Sequence, residues 1–190
     1  MLFARAGPSL YSPGIMLSPP CPASRPIVLV GLMGVGKTTI GRRLAKRMRL
    51  PFVDADREIE AAAGLSIGEI FERFGEAHFR DGERRVIARL IKGELRVIAT
   101  GGGAFMNDET RALILSSATA IWLDSDVDTL AERVGRRDDR PLLSGRDARQ
   151  VLGELAAVRN PVYALAPIHI RSHPAPHEAT VDAIVTQLAA

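Results

Sequence analysis

Gly31-Leu32-Met33-Gly34-Val35-Gly36-Lys37-Thr38 has the spacing G-x-x-x-x-G-K-T, which can wrap a chain of phosphates. Ile27-Val28-Leu29-Val30 before it is a β-branched run suited to a buried strand. After it, Ile40, Leu44 and Met48 recur at i, i+4 and i+8 and mark one helix face. Strand, glycine loop and helix in that order aim backbone N–H groups and a helix N-terminus at an anion. Gly34, Val35, Gly36, Lys37, Thr38 and Thr39 are the expected nucleotide-binding residues. Lys37 would reach the β- and γ-phosphates, and Thr38 would offer its hydroxyl to Mg²⁺. The pattern points to a nucleoside triphosphate site.

Five further clusters carry groups able to do chemistry. Asp54-Ala55-Asp56 closes the Phe52-Val53 run, and two carboxylates beside a phosphate site can hold Mg²⁺ through water and accept a hydroxyl proton. The competing reading has Asp56 as the N-cap of the next helix, with Asp54 solvated. In Ile70–Arg80, Gly75 is expected to end one short helix and Glu76 to begin another, with Phe71, Phe74 and Phe79 as core anchors. His78 has no ligand-spaced partner. Arg80 could simply pair with Glu76 at i, i+4. Gly101-Gly102-Gly103 follows the run Val97-Ile98-Ala99, as a place of close approach or as a tight turn into the next helix. Arg133 through Gly145 mixes glycine, charge and proline, as a solvated loop or as a lid that carries an arginine over phosphates. Val151, Leu152, Leu155 and Val158 form a helical core face leading to Arg159-Asn160-Pro161-Val162-Tyr163. Arg159 could cap carbonyls or pair with Glu154.

Positioning these groups requires strands that end beside them. From Pro26 onward, strand-like runs alternate with helical ones, which argues an α/β fold with a mainly parallel sheet. Strands are expected at Ile27–Val30, Phe52–Asp54, Val97–Ala99, Ala120–Leu123 and Ile168–Ile170. Gly31, Asp54/Asp56, Gly101–Gly103 and Asp124/Asp126 then fall at carboxyl ends of strands, where open α/β sheets bind ligands.

The length of 190 residues suits one domain. A net charge of +3 with dispersed arginines favours acidic small molecules over nucleic acid, and no apolar run is long enough to span a membrane. The lone Cys21 excludes an internal disulfide framework. Residues 1–25, rich in proline and without acidic side chains, read as a disordered tail or as upstream codons before a start at Met16. Residues 26–190 are expected to form a single domain.

Taken in order, the phosphate loop, D-A-D, F-x-x-x-G-E-x-x-F-R, the G-G-G after a strand, R-P-L-L and R-N-P-V-Y resemble the shikimate kinase family, over about Pro26 to Leu188. The resemblance implies a three-layer α/β sandwich of the P-loop kinase type, with a central five-stranded parallel sheet and a mobile lid at about residues 133–146. It implies transfer of the ATP γ-phosphate to the 3-hydroxyl of shikimate with Mg²⁺, as part of aromatic amino acid biosynthesis in the cytoplasm. It assigns Lys37, Asp56 and Arg140 to catalysis, and Thr38 and (through water) Asp54 to the metal. Arg136 is the choice for the adenine. Asp56, Arg80, Gly102, Gly103, Arg140 and Arg159 are assigned to shikimate, with Glu83 orienting Arg80. No nucleic-acid or membrane partner is implied, and a monomer is expected. Two rivals differ in what they require: a gluconate kinase has less use for the Arg80/Arg159 pair, and an RNA-binding or switch NTPase needs a contiguous basic face.

Overall fold

The computed structural model describes residues 23–135, 147–172 and 176–190. In chain order the elements are β1 (Ile27–Val30), α1 (Lys37–Met48), β2 (Phe52–Asp54), α2 (Ala55–Ala63), α3 (Ile67–Lys92) and β3 (Val97–Ala99). A 3-10 turn at Ala104–Met106 follows, then α4 (Asp108–Ser117), β4 (Thr119–Asp124), α5 (Val127–Gly135), α6 (Ala148–Tyr163), β5 (Ile168–Arg171) and α7 (His177–Leu188). All five strands are parallel, in the order β2-β3-β1-β4-β5. The expected strands are all present, and β4 and β5 run slightly longer than their apolar cores.

Every residue of β1 and β3 is buried. Successive side chains in a strand point to opposite faces, so both faces of the sheet centre are covered by helices. Helix α1 buries Ile40, Leu44 and Ala45 and packs on both the sheet and α7, and the pairs Arg43–Glu178 and Arg47–Asp182, both 3.4 Å, bridge the two helices at the rim. Such exposed pairs contribute little, so the apolar face holds the helices together.

Parallel pairing also fixes which loops meet. The register Leu29↔Ala99 and Asp54↔Ala99 brings the residues just past β1, β2 and β3 side by side. Gly31, Asp56 and Gly101 all lie two positions beyond those partners. The sheet order reverses at β1, so its carboxyl end is the crevice where an open α/β sheet receives a ligand.

One expectation for this region holds, and two about apolar side chains need correction. The α3 span is two helices that meet at Gly75, as expected, where φ of 78° and ψ of 174° suit glycine alone. Phe79 is buried and packs on Phe71 at 4.6 Å between ring centres. Phe74 is not a core anchor: it is 53% exposed and lies against His78. Val158 is 72% exposed and not part of the α6 core face. Adjacent helical residues lie ~100° apart, and α6 turns Leu152, Ala156, Arg159 and Tyr163 inward, which carries Val158 to the outside. Among the described residues, no helix is long and apolar enough to cross a membrane.

Candidate active site

The phosphate end is built from one continuous stretch. Gly34 and Gly36 take φ of 83° and 94°, and a Cβ on Gly34 would strike Val134 of α5 at 2.7 Å. Only glycine meets both demands at that point. The loop thereby curls back over the start of α1, where Lys37, Thr38 and Thr39 begin the helix and Val35 is buried beneath. Lys37 Nζ donates to the carbonyls of Gly31 at 2.8 Å and Leu32 at 2.9 Å, which stretches its ammonium along the inside of the loop. Thr38 Oγ1 donates to Asp54 Oδ2 at 2.8 Å, linking the loop to the end of β2.

Asp54, not Asp56, caps α2, accepting the backbone N–H of Asp56 at 3.2 Å. The capping alternative for Asp56 is therefore overturned. Asp54 sits at the last residue of β2 with extended backbone, as an N-cap requires, while Asp56 is already inside the first turn. That leaves the Asp56 carboxylate to the crevice. Burial first, and then the negative charge of Asp54, push its pKa above the ordinary aspartate value, against the pull of Lys37 and Arg80.

The acid end is assembled from three separate parts of the chain. Arg80 of α3 donates from Nη1 to Glu83 Oε2 at 2.7 Å and from Nη2 to Glu76 at 3.2 Å. The i, i+4 pair with Glu76 thus exists, but it is the exposed half of the arrangement. Glu83 is only 1% exposed, and burial pushes its pKa up against the attraction of Arg80. For Arg80, burial opposes the charged form, and the bonds to Glu83 and Glu76 outweigh it, so its pKa is raised. A buried carboxylate held to one guanidinium this closely fixes the arginine's direction.

The glycines after β3 make room for these side chains. A Cβ on Gly101 would lie 2.7 Å from Asp56 Oδ1 and 3.3 Å from Glu83 Oε1. A Cβ on Gly103 would lie 2.7 Å from Arg80 Nη1. Close approach, rather than a turn alone, requires glycine here. Arg159 of α6 enters from the opposite side and donates from Nη1 to the Gly102 carbonyl at 3.1 Å. Between them lies a cleft of about 280 Å³ lined by Glu76, Arg80, Gly103, Met106, Asn107 and Arg159. Arg111 holds its rim, donating to the carbonyls of Phe105 at 3.1 Å and Met106 at 3.3 Å. The cleft presents two guanidinium groups to a ligand, the arrangement that binds a carboxylate.

The family model for shikimate kinase matches residues 33–189. Shikimate kinase of Zymomonas mobilis is 58% identical over 174 residues, which cover 92% of this chain and 99% of that one. The chain belongs to the shikimate kinase family. Shikimate kinase of Caulobacter vibrioides is also 58% identical, over 87% of this chain and 82% of that one. Among solved structures, the shikimate kinase of Acinetobacter baumannii in complex with shikimate superposes with a TM-score of 0.82 at 34% identity, covering 87% of this chain and 93% of that one. A gluconokinase from Sinorhizobium meliloti superposes with a TM-score of 0.61 at 18% identity over 88% of this chain and 93% of that one, which is a likeness of fold. As a shikimate kinase the chain is an ATP-dependent phosphotransferase.

The shikimate kinase fold thus brings Lys37, Thr38, Asp54 and Asp56 to one end of the crevice and Arg80, Gly102, Gly103 and Arg159 to the other. Arg136 and Arg140 lie outside the described residues. Arg133 is a residue that the sequence reading left unassigned. Its Nη1 is buried with no hydrogen-bond partner among the described residues. It lies close enough to His177 that its charge, after burial and Arg43, lowers the His177 pKa. His177 in turn borders Gly36 of the phosphate loop. No local pattern distinguishes Arg133 from its neighbours Arg136 and Arg137, so only the fold could single it out.

Proposed function

We propose that this chain phosphorylates shikimate at its 3-hydroxyl, giving shikimate 3-phosphate and ADP, through the residues that meet in this crevice. The observation that carries the reading is the convergence of Arg80 and Arg159, from α3 and α6, on one cleft beside Asp56. Two guanidinium groups there hold the substrate's carboxylate, while Gly102 and Gly103 lie along its ring. Asp56 holds the 3-hydroxyl in line with the γ-phosphate and takes its proton as the new O–P bond forms and the bond to the β-phosphate breaks. Lys37 turns from the loop carbonyls to the phosphates, and Arg140 adds a second positive charge from the lid, of whose expected span 133–146 residues 133–135 belong instead to helix α5.

The Thr38 hydroxyl and the Asp54 carboxylate, 2.8 Å apart, are hard oxygen donors of the kind Mg²⁺ takes. Thr38 would hold the ion directly and Asp54 through water. When bound, Mg²⁺ neutralises charge on the β- and γ-phosphates. Arg136 stays the choice for the adenine, and Arg133, whose buried Nη1 has no partner among the described residues, is a second candidate. The residues from 26 onward act as one kinase domain, as a cytoplasmic monomer.

The test pairs a substrate change with a mutation. The methyl ester of shikimate lacks the negative charge, so wild type should use it poorly. Arg80→Met should penalise it less, because one of its partner charges has gone. Kinetics on the four combinations give the interaction between substrate and side chain. An ester penalty equal in both enzymes would remove Arg80 from carboxylate binding. ATP consumption with gluconate or RNA as sole acceptor should stay at background.

A further inference from the structure

The mechanism above leaves one buried, titratable group at the cleft without a task. Tyr163 is completely buried, and its hydroxyl donates to the carbonyl of Gly102, the same oxygen that accepts Arg159 Nη1 at 3.1 Å. A carbonyl oxygen has two lone pairs, and these two donors use both. The tyrosine ring is wedged between Phe105 and Trp122, at 6.4 Å and 6.1 Å between ring centres, which leaves the hydroxyl little freedom. Arg159 and Tyr163 stand four residues apart on one face of α6, with Pro161 between them. Proline removes one helical hydrogen bond from that turn, so the backbone alone holds it less firmly. The Tyr163 side chain supplies an anchor beyond the break.

We propose that Tyr163 is a positioning residue for acid recognition: by holding the Gly102 carbonyl, it sets Arg159 at the cleft and leaves its guanidinium free to turn to the substrate's carboxylate. This rests on the reading of Arg159 as a carboxylate ligand. Without the hydroxyl, Arg159 is the only side chain among the described residues that bonds this part-buried carbonyl, and leaving the carbonyl for the substrate strands an unsatisfied acceptor. The hydroxyl is a reliable donor, because burial pushes the Tyr163 pKa up to about 12.

Tyr163→Phe keeps the ring and removes the bond. It should raise the KM for shikimate about 2- to 10-fold, the range for one neutral hydrogen bond, with kcat and the KM for ATP unchanged. The KM for the methyl ester should move less, so that the ester penalty shrinks. A purely structural role would instead lower Tm and shift acid and ester alike, and that result, or no shift at all, overturns the proposal. Gly102→Ala provides a second test with Tyr163 in place. Its methyl would sit 3.2 Å from Arg159 Nη1 and press on the guanidinium; crowding of the ring raises the KM for acid and ester alike, whereas loss of Arg159's position shrinks the ester penalty, as in Tyr163→Phe. An unchanged ester penalty in Gly102→Ala overturns the proposal even where Tyr163→Phe does not fold. Arg159→Met is the control for the underlying reading: if it leaves the KM for shikimate unchanged, Arg159 is not a carboxylate ligand and that reading fails first. If it raises the KM while Tyr163→Phe does not, only the role of Tyr163 is lost.

Discussion

The two ends of the crevice are made in opposite ways. At the phosphate end, the groups come from one uninterrupted stretch, Gly31 to Thr39, which runs from the end of β1 into the first turn of α1. At the acid end, each group arrives on a different element: Arg80 on α3, Gly102 and Gly103 after β3, Arg159 on α6. The first end depends on backbone conformation, with φ of 83° and 94° at Gly34 and Gly36. The second depends on a buried charge pair, Arg80–Glu83 at 2.7 Å, and on a hydrogen bond from Arg159 to Gly102 across 57 positions of sequence. A site made by one loop tolerates change in the surrounding core. A site made by convergence transmits any shift of its helices into substrate recognition.

Three measurements would break or sharpen that contrast. The largest effect is expected at the phosphate end. Lys37→Ala should abolish turnover while leaving Tm nearly unchanged, because the ammonium lies along the loop rather than in the core. Substantial activity in the purified variant would end the claim that this loop handles the transferred phosphate. At the acid end the losses should be smaller and selective. Arg80→Met and Arg159→Met should each raise the KM for shikimate ~10- to 150-fold, corresponding to about 1.5–3 kcal/mol for a charge-assisted bond, with little change in the KM for ATP. Arg80→Met should also lower Tm, since it strands Glu83 as a buried charge, whereas Arg159→Met should not. Equal Tm values for the two variants would show that Glu83 is not held as an ion pair.

The smallest effect concerns Asp56, where the two ends meet. Its pKa lies above the ordinary aspartate value, so kcat/KM should fall on acidification at a pH higher than an unperturbed aspartate would allow. The same shift has a stability cost. A carboxyl whose folded pKa is raised binds its proton more tightly when native, so stability declines as pH rises through the interval above the unfolded value. Asp56→Asn should therefore raise Tm at neutral pH. The gain should vanish at a pH below the unfolded aspartate value. A gain that persists there would mean that packing, not charge, is responsible.

The same contrast explains what could be read from the sequence. The strands and the phosphate loop were legible because each is a local pattern: an apolar run, glycines at fixed offsets, a helix with i, i+4 periodicity. Asp54 and Asp56 were recognisable as a pair, but their division of labour was not. It depends on which one occupies the N-cap, a matter of one residue at the strand end. By spacing alone Arg80 showed only its local partner, Glu76; Glu83 came through the family resemblance, because that partner matters through burial, and burial is set by the packing of α3. For Arg159 no partner could be named with certainty, since Gly102 reaches it only through the sheet register and the turn after β3. Phe74 and Val158 failed for a related reason. Apolar type suggests the core, but the kink at Gly75 and the rotation of α6 decide the direction.

Trp122 is the only tryptophan in the chain. Its indole stacks on His169 at 4.0 Å and 9°, faces Tyr163 at 6.1 Å, and lies below Gly31 at the start of the phosphate loop. The chain's one indole thus sits between the two halves of the crevice. Emission excited at the red edge, where tyrosine does not absorb, originates at that one junction, so ligand titrations followed by tryptophan fluorescence need no label and report from a known place.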